Sequence, residues 1–179
     1  VKIENNTTIS GYCHTSNWVD RKYFFTIQFN QPFTSSEQLE PKPKAAAPRY
    51  VLRFDLDNKV LQTKIALSTV SIEGAKRNLQ IELPGWDFAG TVANAGRTWN
   101  SYLNRIEIEA GQKQKEVFYS SMYRLFIQPS NITDVDGKYR GADDSIRKAK
   151  NGEYYSTLSL WDTFRAANPL YSLIVPERV

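Results

Sequence analysis

Asp134, Asp136, Asp143, Asp144 and Asp162 all fall between Phe118 and Leu170, and they are the first candidates for chemistry. Asp162 stands directly beside Trp161. A carboxylate next to an indole suits a sugar, because the carboxylate accepts from two adjacent hydroxyls while the ring covers an apolar sugar face. The same pair also suits a helix N-terminus, with the Asp as cap and the Trp in a core. The residue types alone leave both readings open. Arg165 follows Asp162 by three residues and on a helix would brace it. Asp134-Val135-Asp136-Gly137 invites comparison with a calcium loop. That pattern needs an acid or Asn at its fifth position and Gly at its sixth, where this sequence has Lys138 and Tyr139. A tight turn accounts for the segment better. The two carboxylates would take nearby backbone N–H groups, Gly137 and Gly141 would supply unusual dihedrals, and Arg140 would pair with a neighbouring acid. Two acids so close in a turn do not present the well-separated carboxyls of an inverting glycosidase. The residues themselves therefore point to no catalytic pair and no metal ligand.

The elements that must position these residues change character along the chain. Tyr23, Phe25, Ile27 and Phe29 alternate with polar partners and predict a half-buried strand over 22–30. Residues 9–18 suit a strand with a turn. Gln31 to Pro48 reads as loop, with a Pro- and Lys-rich section unfit for pairing. Tyr50, Leu52, Phe54 and Leu56 alternate again, and a turn at Asp57–Lys59 predicts a hairpin onto Leu61, Ile65 and Leu67. The period then becomes helical. Ile72, Ala75, Leu79 and Leu83 follow a Ser71 cap, and Pro84-Gly85 ends that helix. Phe88, Val92, Ala95, Trp99, Leu103 and Ile106 follow an Asp87 cap, with Gly111 as the stop. Phe118, Met122, Leu125 and Phe126 form a third helical stripe, ended by Pro129. A polar loop over 129–157 leads to a returning helix carrying Leu160, Phe164 and Ala167. There Asn168 is the expected cap of a further segment opened by Pro169. Trp18 and Trp86 are sooner core residues than sugar platforms.

Composition excludes several classes. The chain has 179 residues, a net charge of +4, one Cys (Cys13) and one His (His14). An internal disulfide and a Cys-based metal site are thereby excluded. Basic residues form no stripe, so nucleic acid is not an expected partner. No apolar run reaches membrane-spanning length. The sequence opens on Val1 and closes on Val179 where further helices are expected, and it reads as a piece of a larger protein.

Several separated motifs occur in order: IALSTVSIEGAKRNL from Ile65, WN at Trp99–Asn100 with RIEIE from Arg105, FYSSMYR from Phe118, DVDGKYRG from Asp134, and SLWDTFRAANPL from Ser159. Together they resemble glycoside hydrolase family 92, bacterial exo-acting α-mannosidases. The resemblance covers nearly the whole chain and is strongest from Ile65 to Arg178. It implies an α+β chain: an antiparallel β-sandwich portion at 1–85, a linker helix at 86–112, and at 113–179 the first helices and loop of an (α/α)6 catalytic barrel. It also implies calcium-dependent, inverting hydrolysis of terminal α-linked mannose from glycans, with an α-1,2 linkage expected, by a secreted, periplasmic or cell-surface protein. Trp161, Asp162 and Arg165 would then serve the mannose subsite, and Asp134, Asp136 and Arg140 would support a loop near the active site. The family's general acid, general base and calcium ligands lie further along the barrel than this chain reaches. The remainder of that barrel, or another chain, is the expected protein partner, and Tyr123, Phe126 and Leu170 are expected to face it. Two other readings stand beside this one: a non-catalytic carbohydrate-binding module, and a glycoside phosphorylase of the same two-part architecture.

Overall fold

A computed structural model describes residues 1–16, 20–39, 48–57, 59–150 and 152–178. They divide into two compact units, one built from residues 1–86 and 132–154, the other from 87–131 and 155–179. The chain is α+β, with antiparallel strands followed by helices, as the sequence predicts. Residues 132–154 pack with the first unit rather than with the remainder of 113–179.

The first unit is centred on four antiparallel strands in the order β1-β2-β3-β6. These are β1 (Lys2–Asn5), β2 (Thr8–Ser16), β3 (Asp20–Phe29) and β6 (Thr63–Ser68). Side chains alternate across a strand, so the register assigns each residue to a face. Ser10, Thr26 and Ala66 lie in one cross-strand row. All three are small and buried. That row gives helix α1 (Ile72–Glu82) a shallow bed, and Ala75 and Leu79 are buried against it. Ser71 caps α1 as expected, its hydroxyl accepting from the Gly74 N–H at 3.0 Å. On the opposite face Ile9, Ile27 and Ile65 share one row, and Gly11, Phe25 and Leu67 the next. Ile65 and Leu67 are more than half exposed there.

The pairing of the middle strands differs from the sequence expectation. β5 (Arg49–Phe54) pairs not with β6 but with β4 (Phe33–Leu39), which lies in the stretch read as loop. β4 escaped notice because FTSSEQL is exposed along nearly its whole length and shows no apolar alternation. β6 instead takes the free edge of β3, matching Ile65 to Ile27 and Leu67 to Phe25. The junction is fixed by Asn30, whose side chain accepts from Gln62 N–H at 2.8 Å. Phe29, Phe33 and Phe54 close the ribbon as an edge-on aromatic cluster. Trp18 and the Pro- and Lys-rich section at 40–47 lie outside the described residues.

The second unit is helical: α2 (Phe88–Leu103), α3 (Gln112–Phe126), α4 (Leu160–Thr163), α5 (Ala167–Ile174) and a closing 3-10 turn, Pro176–Arg178. The Asp87 carboxylate caps α2 by accepting from Gly90 N–H at 2.8 Å. Gly111 stands at the N-cap of α3 rather than at the end of α2. The expected helix through Leu160, Phe164 and Ala167 is broken in two, and Ala166, not Asn168, takes the N-cap position of α5. Pro169 then falls in the first turn, where its missing N–H is one that has no intrahelical partner anyway. Trp99 packs on Tyr123, and Phe126 lies between Tyr102 and Tyr171. Tyr123 is exposed as expected, whereas Phe126 and Leu170 are half-buried.

Glu4 ties β1 to its neighbours. Its carboxylate accepts from Lys76 on α1 at 2.9 Å, from Ser10 on β2 at 2.7 Å, and from Lys2 at 3.0 Å. These partners, Lys76 foremost, lower its pKa from 4.5 to about 2. A folded-state pKa below the unfolded value means the contribution to stability is complete above about pH 4.5 and lost as pH falls toward 2. Thermal unfolding followed between pH 6 and about pH 2 should therefore show a decline in this window, and Glu4→Gln should flatten it. High salt should weaken the same effect.

Candidate functional site

The polar loop contains structure that short strands hid from the sequence. β7 (Lys138–Arg140) and β8 (Ile146–Lys148) form a hairpin of three-residue strands. The DVDG segment is the turn that leads into β7. Gly137 N–H donates to Asp134 C=O at 2.8 Å, Lys138 N–H donates to Asp136 Oδ1 at 3.1 Å, and Gly137 adopts a φ of +82°. The tight turn forms, but of its two carboxylates only Asp136 takes a backbone N–H, and the positive φ falls at Gly137 and not at Gly141.

Asp134 is buried, and both its oxygens are engaged. Oδ2 accepts from the Ser68 hydroxyl at 2.7 Å, and Oδ1 accepts from Asn78 Nδ2 at 2.9 Å. Asn78 also donates to Leu67 C=O at 2.9 Å and accepts from Val135 N–H at 3.0 Å. Asp136 faces Arg77 at 2.5 Å and Lys138 at 3.1 Å. Partial burial works to raise its pKa, but the hydrogen bonds and charge of Lys138 and the charge of Arg77 prevail and hold it below the usual carboxylate range. With two cations already on Asp136 and two donors on Asp134, this loop does not fit a calcium ion. Among the described residues no group of three or more His, Cys, Asp or Glu is arranged to hold a metal.

Arg140 does pair with an acid, Asp144 at 3.0 Å, and does more besides. Its guanidinium donates to the carbonyls of Thr69 at 2.7 Å and Val70 at 3.1 Å, just beyond the end of β6. Asp143 is exposed and bound locally to Ser145 and Arg147, which lower its pKa. Tyr139, buried, stacks on Tyr154 with ring centroids 3.9 Å apart. Sequence reasoning found the acids and Arg140 but missed Ser68 and Asn78, whose only signal is a polar residue on an otherwise apolar strand or helix face.

In the second unit, Trp161 is 82% exposed and Asp162 lies in the first turn of α4. Ser159, not Asp162, occupies the N-cap position. Arg165 does not brace Asp162 among the described residues; its guanidinium lies over the Phe164 ring at 5.3 Å. The same unit holds a pocket of about 390 Å3 walled mainly by Trp99, Tyr102, Phe126, Tyr155 and Tyr171. Trp161, Asp162 and Arg165 do not line it. Trp86, half-buried, carries the Lys64 ammonium 4.2 Å from its ring centroid.

A model of the glycosyl hydrolase family 92 catalytic domain matches residues 74–179. The chain belongs to glycosyl hydrolase family 92. Among solved structures it is similar to the family GH92 α-mannosidase BT3965 of Bacteroides thetaiotaomicron. Identity is 28% and the TM-score 0.83, over 95% of this chain and 25% of that one. BT3965 is also known in complex with mannoimidazole. The inverting mannosidase BT2199 of Bacteroides thetaiotaomicron VPI-5482 is similar at 26% identity and a TM-score of 0.84, over 97% of this chain and 26% of that one. The chain thus spans about a quarter of the length of these family-92 structures. No curated protein matches it significantly.

Two glycines separate packing from propensity. A Cβ on Gly74 would collide with Asp134 Oδ2 and come within 2.6 Å of Ser68 Oγ, whereas a Cβ on Gly96 would meet nothing within 4 Å. Gly96→Ala should stabilise the chain by about 0.5–1 kcal/mol through helix propensity. Gly74→Ala should destabilise it by about 1–3 kcal/mol, because the buried carboxylate must shift. Urea denaturation of the two variants checks the opposite signs.

Proposed function

We propose that this chain is part of a calcium-dependent, inverting exo-α-mannosidase that removes terminal α-linked mannose, α-1,2-linked, from glycans. Family membership and the likeness to two mannosidases support the reaction class. On this reading residues 1–85 belong to a β-sandwich, 86–112 link it, and 113–179 begin an (α/α)6 barrel whose remainder completes the enzyme. The protein works outside the cytoplasm, as secreted, periplasmic or cell-surface glycosidases do. Calcium ligands and the catalytic acid and base come from beyond this chain, since the carboxylates of the DVDG turn are already taken by protein donors. Calcium, when bound, would supply positive charge toward sugar oxygens.

The observation that carries the site assignment is the open Trp161–Asp162 pair. An indole 82% exposed beside an acid that caps nothing has no evident structural task in this chain. Trp161 would cover the apolar face of the mannose, and Asp162 would accept from two neighbouring hydroxyls. Arg165, on the Phe164 ring, would face the same sugar as a donor. Binding energy held this way counts toward rate where contacts tighten as the ring distorts.

In the complete enzyme, Asp162→Ala should lower kcat/KM on an α-mannoside by about tenfold to a few hundredfold. A hydrogen bond to a charged group contributes about 1.5–3 kcal/mol, and each 1.36 kcal/mol is about tenfold in rate. Asp143→Ala should change it little. Unfolding by calorimetry is the control: Asp162→Ala should cost under about 1 kcal/mol of stability. Unchanged kinetics with a lowered Tm would return Asp162 to a structural role.

A further inference from the structure

Helix α4 has four residues, none of them buried, and a helix that short does not hold its own shape. What keeps Trp161 and Asp162 in place therefore lies outside it. Within the helical unit, both flanks of their segment are tied to one short stretch at the end of α3. On the near side Ser156 N–H donates to Ser130 C=O at 2.8 Å, and Ser130 N–H donates back to Ser156 Oγ at 3.0 Å. That hydroxyl in turn donates to Gln128 Oε1 at 3.4 Å. On the far side the Tyr171 hydroxyl, on α5, donates to Leu125 C=O at 2.8 Å and to Gln128 C=O at 2.9 Å. Carbonyls in the last turn of a helix and just past it lack intrahelical partners, and one side chain serves two of them here. Burial raises the pKa of Tyr171, which keeps its hydroxyl a donor. The step from α5 back to α4 is tight. Phe164 is the C-cap of α4 and Ala166 the N-cap position of α5, so Arg165 alone separates them. Phe164 N–H donates to Leu160 C=O at 3.0 Å and Leu170 N–H to Ala166 C=O at 2.9 Å, so backbone hydrogen bonds run up to that residue from either side.

We propose that Tyr171 is a positioning residue for the Trp161–Asp162 pair, acting through α5, with Ser156 as its counterpart on the other flank. Residues 157–170 form a loop whose two ends are pinned to 125–130, and pinning both ends restricts what the middle can sample. Without the Tyr171 tie, α5 and the turn at 164–166 shift more freely against α3. A smaller fraction of molecules then holds the pair ready for a sugar, and apparent affinity falls by that fraction. Arg105 donates to Ile174 C=O at 2.5 Å at the other end of α5, which keeps the helix docked when the hydroxyl is lost. The functional half of this proposal rests on the mannoside reading above; the structural half does not.

The test uses the enzyme carrying this chain with the rest of its catalytic domain, in wild-type, Tyr171→Phe and Ser156→Ala forms. Tyr171→Phe removes the hydroxyl and keeps the ring that packs on Phe126. Hydrogen exchange is followed by mass spectrometry in peptides covering 157–166, where the Asp162, Thr163 and Phe164 amides hold α4, and 167–175. Tyr171→Phe should speed exchange in both by about two- to tenfold, the loss of a neutral hydrogen bond read as a rate. On an aryl α-mannoside it should raise KM by a similar factor with little change in kcat. Saturating mannoimidazole should return exchange over 157–166 to the wild-type rate, because the sugar mimic selects the held state. Ser156→Ala should move the same readouts in the same direction, and it decides the matter if Tyr171→Phe does not fold. Faster exchange confined to 167–175, with 157–166 and KM unchanged, would overturn the proposal and leave Tyr171 as an anchor of α5 only. Unaltered exchange in both peptides would overturn it too. If the wild type does not hydrolyse mannosides, the functional reading falls, and exchange over 157–166 alone then supports or overturns the positioning role.

Discussion

A buried carboxylate that needs two donors is the constraint on which the first unit depends. Asp134 takes one donor from the end of a strand, Ser68, and one from the middle of a helix, Asn78. Leaving either donor unmatched in a buried site costs about 1–3 kcal/mol, so strand, helix and turn must arrive together. Gly74 is part of the same constraint, because any side chain there would occupy the carboxylate's place. Arg140 adds a second tether from the hairpin to the carbonyls beyond β6, and the Arg77–Asp136 pair adds a third from α1. A hairpin of three-residue strands would be marginal alone. These polar ties, with Tyr139 buried beneath Tyr154, hold it.

The bed beneath α1 follows the same economy of size. Ser10, Thr26 and Ala66 are small enough for a helix backbone to come close, and Ala75 sits fully buried over them. The opposite sheet face and much of the helical unit are more open: α2 has no buried residue, and Leu173 and Phe88 are each more than two-thirds exposed. Relatives four times as long as this chain give such surfaces a natural setting within a larger enzyme.

Local signals were legible in the sequence wherever one residue and its near neighbours decide the outcome. Ser71 and Asp87 cap the helices expected of them, Pro84-Gly85 follows the first, and the DVDG turn forms as its Asp and Gly residues dictate. Pairing was less legible. Which strand β6 joins depends on matching Ile65 to Ile27 across the fold, and nothing near β6 announces it. β4 gave no alternation because neither face is buried. Asp134 was visible as an acid, but its partners Ser68 and Asn78 stand 66 and 56 residues away. Ordered motifs carried the family across those gaps, and the family model and the solved mannosidases agree with them.

The central claim is that the Trp161–Asp162 pair meets the sugar. The most direct measurement is a crystal structure of the complete enzyme with mannoimidazole bound, the ligand seen in the relative BT3965. The account predicts the Asp162 carboxylate within hydrogen-bonding distance of two adjacent sugar hydroxyls, about 2.5–3.0 Å, and the Trp161 ring over an apolar edge of the ligand. A ligand bound with neither residue in contact would contradict it.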